Sequence, residues 1–240
     1  MATVLLIRHG QSSANVAGVL AGWAPDVALT EKGRDQASTL APVIEAIGPA
    51  RIVSSPVQRC LETATLLAGA LEVQQDDSLG ECHYGAWTGR PLADLAKDPL
   101  WRIIQDAPET PEATFPPSEG YPGESLTQMT ARLAAGLSHL DDAVSHDHGP
   151  DAVWVLVSHG DPIKALLAAA SGAGVAGLQR FHVDPGSVSV IRRHGEGDRS
   201  RQLILGSNLN AAALQPLVEG LRRRPPEVDP ADAVVGGGAG

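Results

Sequence analysis

Val4-Leu5-Leu6-Ile7-Arg8-His9-Gly10 runs four apolar residues directly into a cation, an imidazole and a glycine. A short apolar run of this kind suits a strand buried on both faces. The residues after it then lie at the C-terminal end of a parallel strand, where open α/β sheets place their chemistry. A second unit of the same kind stands far along the chain: Ala152 to Val157 is all apolar and ends in Ser158-His159-Gly160. These two strand–His–Gly units are the only internal repetition in the sequence.

Outward from the first unit, strands and helices alternate. The segment 10–29 is rich in Gly, Ser, Ala and Pro and reads as a functional loop. Thr30 is placed to cap a helix from Glu31 to about Ile47, which Gly48-Pro49 ends. Arg51 to Ser54 reads as a strand, and Ser55-Pro56 as the start of a second helix, with Pro56 suited to its first position. A third strand covers about Leu71 to Gln74. Leu126, Met129, Leu133, Leu137 and Leu140 mark a long amphipathic helix over about 124–145. Asp161-Pro162 opens an alanine-rich helix, a shorter one is expected over 174–180, and 187–192 with 201–206 reads as a closing hairpin. The pattern predicts one α/β domain over residues 1–212: a three-layer α/β/α sandwich with a mostly parallel central sheet. The Pro-rich region 90–123, with short helices near 91–97 and 98–106, reads as a lid-like insertion covering the site. From about 213 the pattern fails, and 213–240, with its Arg222-Arg223-Arg224-Pro225-Pro226 run and glycine-rich end, reads as a disordered tail.

Bulk properties narrow the function. Aromatic residues are only 3% of the chain, so the core must be built from Leu, Val, Ile and Ala. A formal net charge of -10 argues against non-specific nucleic-acid binding, without excluding a local cationic pocket. Cys60 and Cys82 are too few for a disulfide scaffold or an all-thiolate zinc site, and read as small buried hydrophobes. The N-terminus lacks the pattern of a signal peptide, and no run of about 18 apolar residues appears. A cytoplasmic setting is expected, with no membrane and no nucleic-acid partner.

A phosphoryl-transfer site built from side chains needs a nucleophile, fixed cations and an acid for the leaving group. His9 serves as nucleophile if its ring is neutral and one nitrogen is exposed. Arg8 offers a fork of donors to phosphate oxygens. Arg59 lies near the start of the second helix, where the helix N-terminus also favours an anion. His159 repeats the strand-end placement of His9. Glu81 is a carboxylate in the loop 76–89. His83 reads as a structural or rim residue, Glu124 as a first-turn helix carboxylate favoured by the macrodipole, and His146-Asp147-His148 and the Arg222–Arg224 run as solvated groups.

The sequence here resembles the histidine phosphatase superfamily, also called phosphoglycerate mutase-like. Leu6 to Asn15, Leu29 to Ala37, Ser54 to Ala64, Leu79 to Gly89 and Val157 to Gly160 resemble five of its motifs, in its order. The resemblance spans about residues 2–206. It implies that His9 becomes phosphohistidine, that Arg8, Arg59 and His159 form a phosphate pocket, and that Glu81 protonates the leaving oxygen and then activates water. Substrate contacts are implied for Arg8, Ser12, Asn15, Arg59, His159 and Gly160. No metal and no cofactor are implied. The expected partner is a small phosphorylated substrate, and a homodimer is left open.

Departures from the family's mutases bear on the substrate. Cys82 stands where they carry Arg, Asp161 where they carry Asn and Ala14 where they carry Trp. Of their paired mid-chain arginines, only Arg102 lies in that region, beside Trp101. Fewer cations and an extra carboxylate disfavour a doubly phosphorylated, carboxylated ligand. The expected activity is therefore metal-independent hydrolysis of a phosphomonoester. A phosphoglycerate mutase or other phosphomutase is the alternative, and a non-catalytic phospholigand-binding protein the alternative of another class.

Overall fold

The computed structural model describes residues 2–194 and 201–222. Its centre is the strand pair β1 (Thr3–Arg8) and β4 (Val153–Ser158). The two run parallel with Thr3 opposite Val153 and Arg8 opposite Ser158. The sheet continues through β2 (Ile52–Ser54) and β3 (Val73–Gln75) on one side, and β5 (Val188–His194) and β6 (Arg201–Leu209) on the other. The strand order is β3-β2-β4-β1-β5-β6. The pairs β3–β2, β2–β4 and β4–β1 are parallel, whereas β5 is antiparallel to both β1 and β6. β5 is thus the one strand of the sheet that opposes the others, as expected of a mostly parallel sheet.

Strand alternation sorts the core into two layers. Val4 and Leu6 of β1 and Trp154 and Leu156 of β4 face one side, against α6 (Leu126–His148) and α7 (Gly160–Ala170). Leu5 and Ile7 of β1 and Val155 and Val157 of β4 face the other, against α2 (Glu31–Ile47) and α3 (Gln58–Leu67). A continuous apolar run is what a strand covered on both faces requires. Apolar side chains at helical spacing, with Thr30 capping α2 and Ser125 capping α6, supply the outer layers.

Two expectations need correction. Pro56 is not at the first position of α3, because that helix begins at Gln58. Ser55 instead extends the ladder, its N–H donating to the Val157 carbonyl at 2.9 Å, so the chain needs two more residues to turn. The expected disorder from 213 onward is also wrong as far as 222. Ala211–Arg222 form α8, which buries Leu214 and Val218 in the layer of α2 and α3. Leu214, Leu217 and Val218 stand at i, i+3 and i+4. Pro216 and Gly220 mask that signal in the sequence without breaking the helix. The remainder of the expected tail, 223–240, and the 195–200 turn of the closing hairpin lie outside the described residues.

The region 90–123 holds α4 (Leu92–Leu95) and α5 (Pro99–Asp106). Leu95, Ile104, Ala113 and Phe115 sink into the core layer of α6 and α7. Phe115 packs edge-on against Tyr84 at 5.0 Å and against Trp87 at 5.2 Å, so this region backs the 76–89 loop. At the end of α6, Asp147 accepts a hydrogen bond from Arg51 at 3.1 Å and lies at the surface.

If α8 is part of the domain, Leu214→Ala should lower unfolding free energy by ~2–4 kcal/mol, the cost of truncating a buried leucine. Urea denaturation reads this directly; an unchanged midpoint would detach α8 from the core.

Candidate active site

The register of β1 and β4 delivers His9 and His159 side by side, with ring centroids 5.3 Å apart. Between them lies Arg59, in the first turn of α3 and only 1% exposed. Its Nε donates to His9 Nε2 at 3.1 Å, and its Nη2 lies 3.0 Å from His159 Nδ1. Nη2 also donates to the Gly22 carbonyl at 2.9 Å, which ties the 18–24 loop over the site. Arg8 donates from Nη1 to the Val183 carbonyl at 2.6 Å, and its guanidinium lies against Gly160. Among the described residues, buried Arg59 Nη1 and Arg8 Nε have no hydrogen-bond partner. A buried guanidinium donor left unmade is costly unless an anion completes it.

The histidine tautomers follow from their neighbours. His9 Nδ1–H donates to the Gly10 carbonyl at 2.7 Å, so Nε2 carries the lone pair and faces the pocket. Burial, then Arg59 and Arg8, holds the His9 pKa well below its ordinary value, and the ring is neutral. His159 Nδ1 accepts from Arg59, so its Nε2–H donates to Ser55 Oγ at 2.8 Å. Burial and Arg59 keep His159 neutral in the same way. The thiol of Cys60 donates to the Ser158 carbonyl at 3.5 Å and fills the space behind His159; burial pushes its pKa up to about 12.

Glu81 completes the ring. Its Oε2 lies 3.7 Å from Arg59 Nη2 and 3.6 Å from His159 Nδ1. Its Oε1 accepts from the Cys82 N–H at 3.0 Å. Burial pushes its pKa up to about 7, against the pull of Arg59 and with the push of Asp161. The backbone at Glu81 is clamped: its carbonyl accepts from Trp23 Nε1 at 2.8 Å and from Arg132 Nη2 at 3.1 Å. Trp23 stacks on His83, and its ring occupies space that only a glycine at 80 leaves open. Glu124 holds Arg132 and accepts from the His83 N–H at 2.9 Å. Glu124 precedes the Ser125 cap of α6, so it is a brace for the 76–89 loop rather than the expected first-turn helix carboxylate.

Ser12, Asn15 and Gly160 also line the pocket, whose cavity volume is ≈ 180 Å³. Ser12 caps α1 (Ser13–Ala17), accepting from the Asn15 N–H, while Asn15 Oδ1 accepts from the Ser12 N–H and Oγ. The amide NH2 of Asn15 takes no part in that box. Gly160 is the first residue of α7, so the positive end of an eleven-residue helix faces the pocket. All the residues expected at the site therefore converge: Arg8, His9, Ser12, Asn15, Arg59, Glu81, His159 and Gly160.

Several residues escaped the sequence reading. Ser55 orients His159, and Tyr84, Asp161 and Lys164 form the wall beside Glu81. Asp161 was counted as a bare carboxylate. It accepts from the Tyr84 hydroxyl at 2.8 Å, and Lys164 Nζ lies 3.3 Å away. The i, i+3 spacing on the helix after His159 was the available signal. Arg102 stands apart from the pocket, exposed and paired with Asp106.

A model of the histidine phosphatase superfamily, branch 1, matches residues 4–205. The chain belongs to that superfamily. It is 34% identical over 207 residues to the bifunctional protein Rv2228c of Mycobacterium tuberculosis, covering 84% of the chain and 53% of that relative, so it spans about half the relative's length. It is 35% identical over 176 residues to the glucosyl-3-phosphoglycerate phosphatase of the same organism, covering 69% of the chain and 74% of the relative. A solved structure of the mycobacterial glucosyl-3-phosphoglycerate phosphatase with VO3 superposes with a TM-score of 0.72 at 30% identity, covering 87% of this chain and 99% of that one.

For this histidine phosphatase superfamily member, NMR of the ring nitrogens should show an Nδ1–H tautomer for His9 and Nε2–H for His159. Neither ring should titrate near its ordinary pKa of about 6.5. Titration of either ring there would contradict the described geometry.

Proposed function

We propose that the chain hydrolyses a phosphomonoester in two phosphoryl transfers, first to His9 and then to water. The observation that carries this is the neutral His9 Nε2 lone pair, facing a pocket with buried guanidinium donors left unmade. In the first step Nε2 attacks phosphorus and the bond to the leaving oxygen breaks. Arg8, Arg59 and the N-terminus of α7 balance the charge on the phosphoryl oxygens. Arg59 Nε, which donates to Nε2, must turn to a phosphate oxygen to release the lone pair. His159 also serves as a donor to phosphate if its proton moves to Nδ1, since the Ser55 hydroxyl both donates and accepts.

Glu81 gives its proton to the leaving oxygen. As a carboxylate it then takes a proton from the water that attacks phosphohistidine, and inorganic phosphate leaves. A pKa of about 7 suits a group that must serve once as acid and once as base. No step calls on a metal or cofactor. Hydrolysis is favoured over mutase chemistry because Asp161 sets a carboxylate on the leaving-group wall, against the single cation Lys164 among the described residues there, which leaves little for a second phosphate. Phosphatase activity in the mycobacterial relatives, by their names, supports the same reading.

His9→Ala should cut turnover of 4-nitrophenyl phosphate by at least about a thousandfold, while a chelator leaves the native rate unchanged. A labelled, acid-labile phosphoenzyme should form in the native protein and be missing from the variant. Full activity in His9→Ala would overturn the proposal. Below about pH 7 Glu81 holds its proton, so kcat/KM should fall as pH rises through that value. Glu81→Gln should remove that limb and lower kcat/KM for alkyl phosphates by about 10²–10⁴, but for 4-nitrophenyl phosphate far less, because kcat/KM reports the transfer to His9 and that leaving group needs no proton.

A further inference from the structure

The reading of Glu81 as the acid places the leaving group on the side of the pocket where Glu81, Tyr84, Asp161 and Lys164 stand together. The same pocket has an apolar wall of Val19, Leu20, Ala21 and Leu92. That wall carries no charged side chain, and neighbouring Val16 is 67% exposed. Whatever is esterified to the phosphate therefore lies between an apolar surface and the Asp161–Lys164 pair.

The charges on the pocket wall decide what that group is. Arg8, Arg59 and Lys164 are cations, and Asp161 and Glu81 are carboxylates. Both histidines are neutral, and Glu81 holds a proton when it acts as acid. Three cations less one carboxylate leave a charge of two, which one phosphomonoester dianion balances. Among the described residues just outside this lining, Arg132 is held by Glu124, and Arg90, beside Leu20, lies 4.0 Å from Asp98. Asp161 is held in place as a carboxylate: Tyr84 donates to one oxygen, Lys164 sits on the other, and it stands in the first turn of α7, where a negative charge suits the helix. A second anionic group would lose water against the apolar wall and face this carboxylate.

We infer that the site selects phosphomonoesters whose leaving group carries no negative charge, with Asp161 rejecting such a charge and Lys164 opposing that rejection. Across a few ångströms of partly wet pocket, one carboxylate discriminates by about tenfold.

Two matched ester pairs test this. Phenyl phosphate and 4-carboxyphenyl phosphate differ by one carboxylate, as do glycerol 3-phosphate and 3-phosphoglycerate. The native protein should favour the uncharged member of each pair by about tenfold or more in kcat/KM. Asp161→Asn should bring the ratio to within about threefold by improving the anionic member, and Lys164→Gln should widen it. Opposite movements of one ratio are not expected from general loosening of the site, and Lys164→Gln keeps the test open if Asp161→Asn misfolds. Equal rates in the native protein, or a ratio that both variants move the same way or not at all, overturn the selectivity while leaving the phosphatase reading intact. No hydrolysis of any ester, together with no phosphoenzyme, overturns the phosphatase reading and this inference with it.

Discussion

A single buried guanidinium organises this molecule. Arg59 reaches both histidines and the Gly22 carbonyl, and still has a buried donor without a partner among the described residues. In a low-dielectric interior such a group is tolerated only where its surroundings are fixed and an anion is due. The in-register pairing of β1 with β4 provides the fixed surroundings, because it sets His9 and His159 on adjacent strand ends. Burial, and then the same cation, hold both rings neutral, so in the proposed reaction the group that would attract phosphate also preserves the lone pair that would attack it.

Much of what the family motifs encode is support for that cation rather than chemistry. A Cβ at Gly10 would meet the Gly33 carbonyl at 2.3 Å, and one at Gly33 would meet the Gln11 carbonyl at 2.1 Å, so the catalytic loop and α2 touch backbone to backbone. Thr30 caps α2 and donates to the Gln11 carbonyl at 3.2 Å. Gln36 accepts from the Gln11 N–H at 2.9 Å and donates to the Pro185 carbonyl. Thr63 accepts from the Gly10 N–H at 3.1 Å while donating to the Arg59 carbonyl, which fastens the loop after His9 to the helix that carries the cation. These contacts explain why residues spaced far from His9 belong to one pattern.

The acid loop is held differently. Its carboxylate must be buried to bind a proton near neutrality, and so its backbone is gripped by Trp23 and Arg132 while its side chain meets few donors. Region 90–123 contributes from behind, through Phe115 against Tyr84. Asp161 lies where two demands meet: it raises the proton affinity of Glu81 and colours the leaving-group wall with negative charge.

The apolar runs before His9 and His159, the helical spacing of the leucines and the order of the motifs determined the sheet, its layers and the expected ring of catalytic groups, because strand burial and helical faces are local patterns. Three things were left to the tertiary structure. Pro216 and Gly220 obscured α8, whose Leu214 and Val218 matter only against α2 and α3. Ser55 read as a helix start until the strand ladder claimed it. Lys164 lies outside the motifs, Tyr84 lies inside one with no role of its own, and Asp161 stands alone in the sequence, because the partners of a charge are set by the elements folded beside it, and 77 residues separate Tyr84 from Asp161 along the chain.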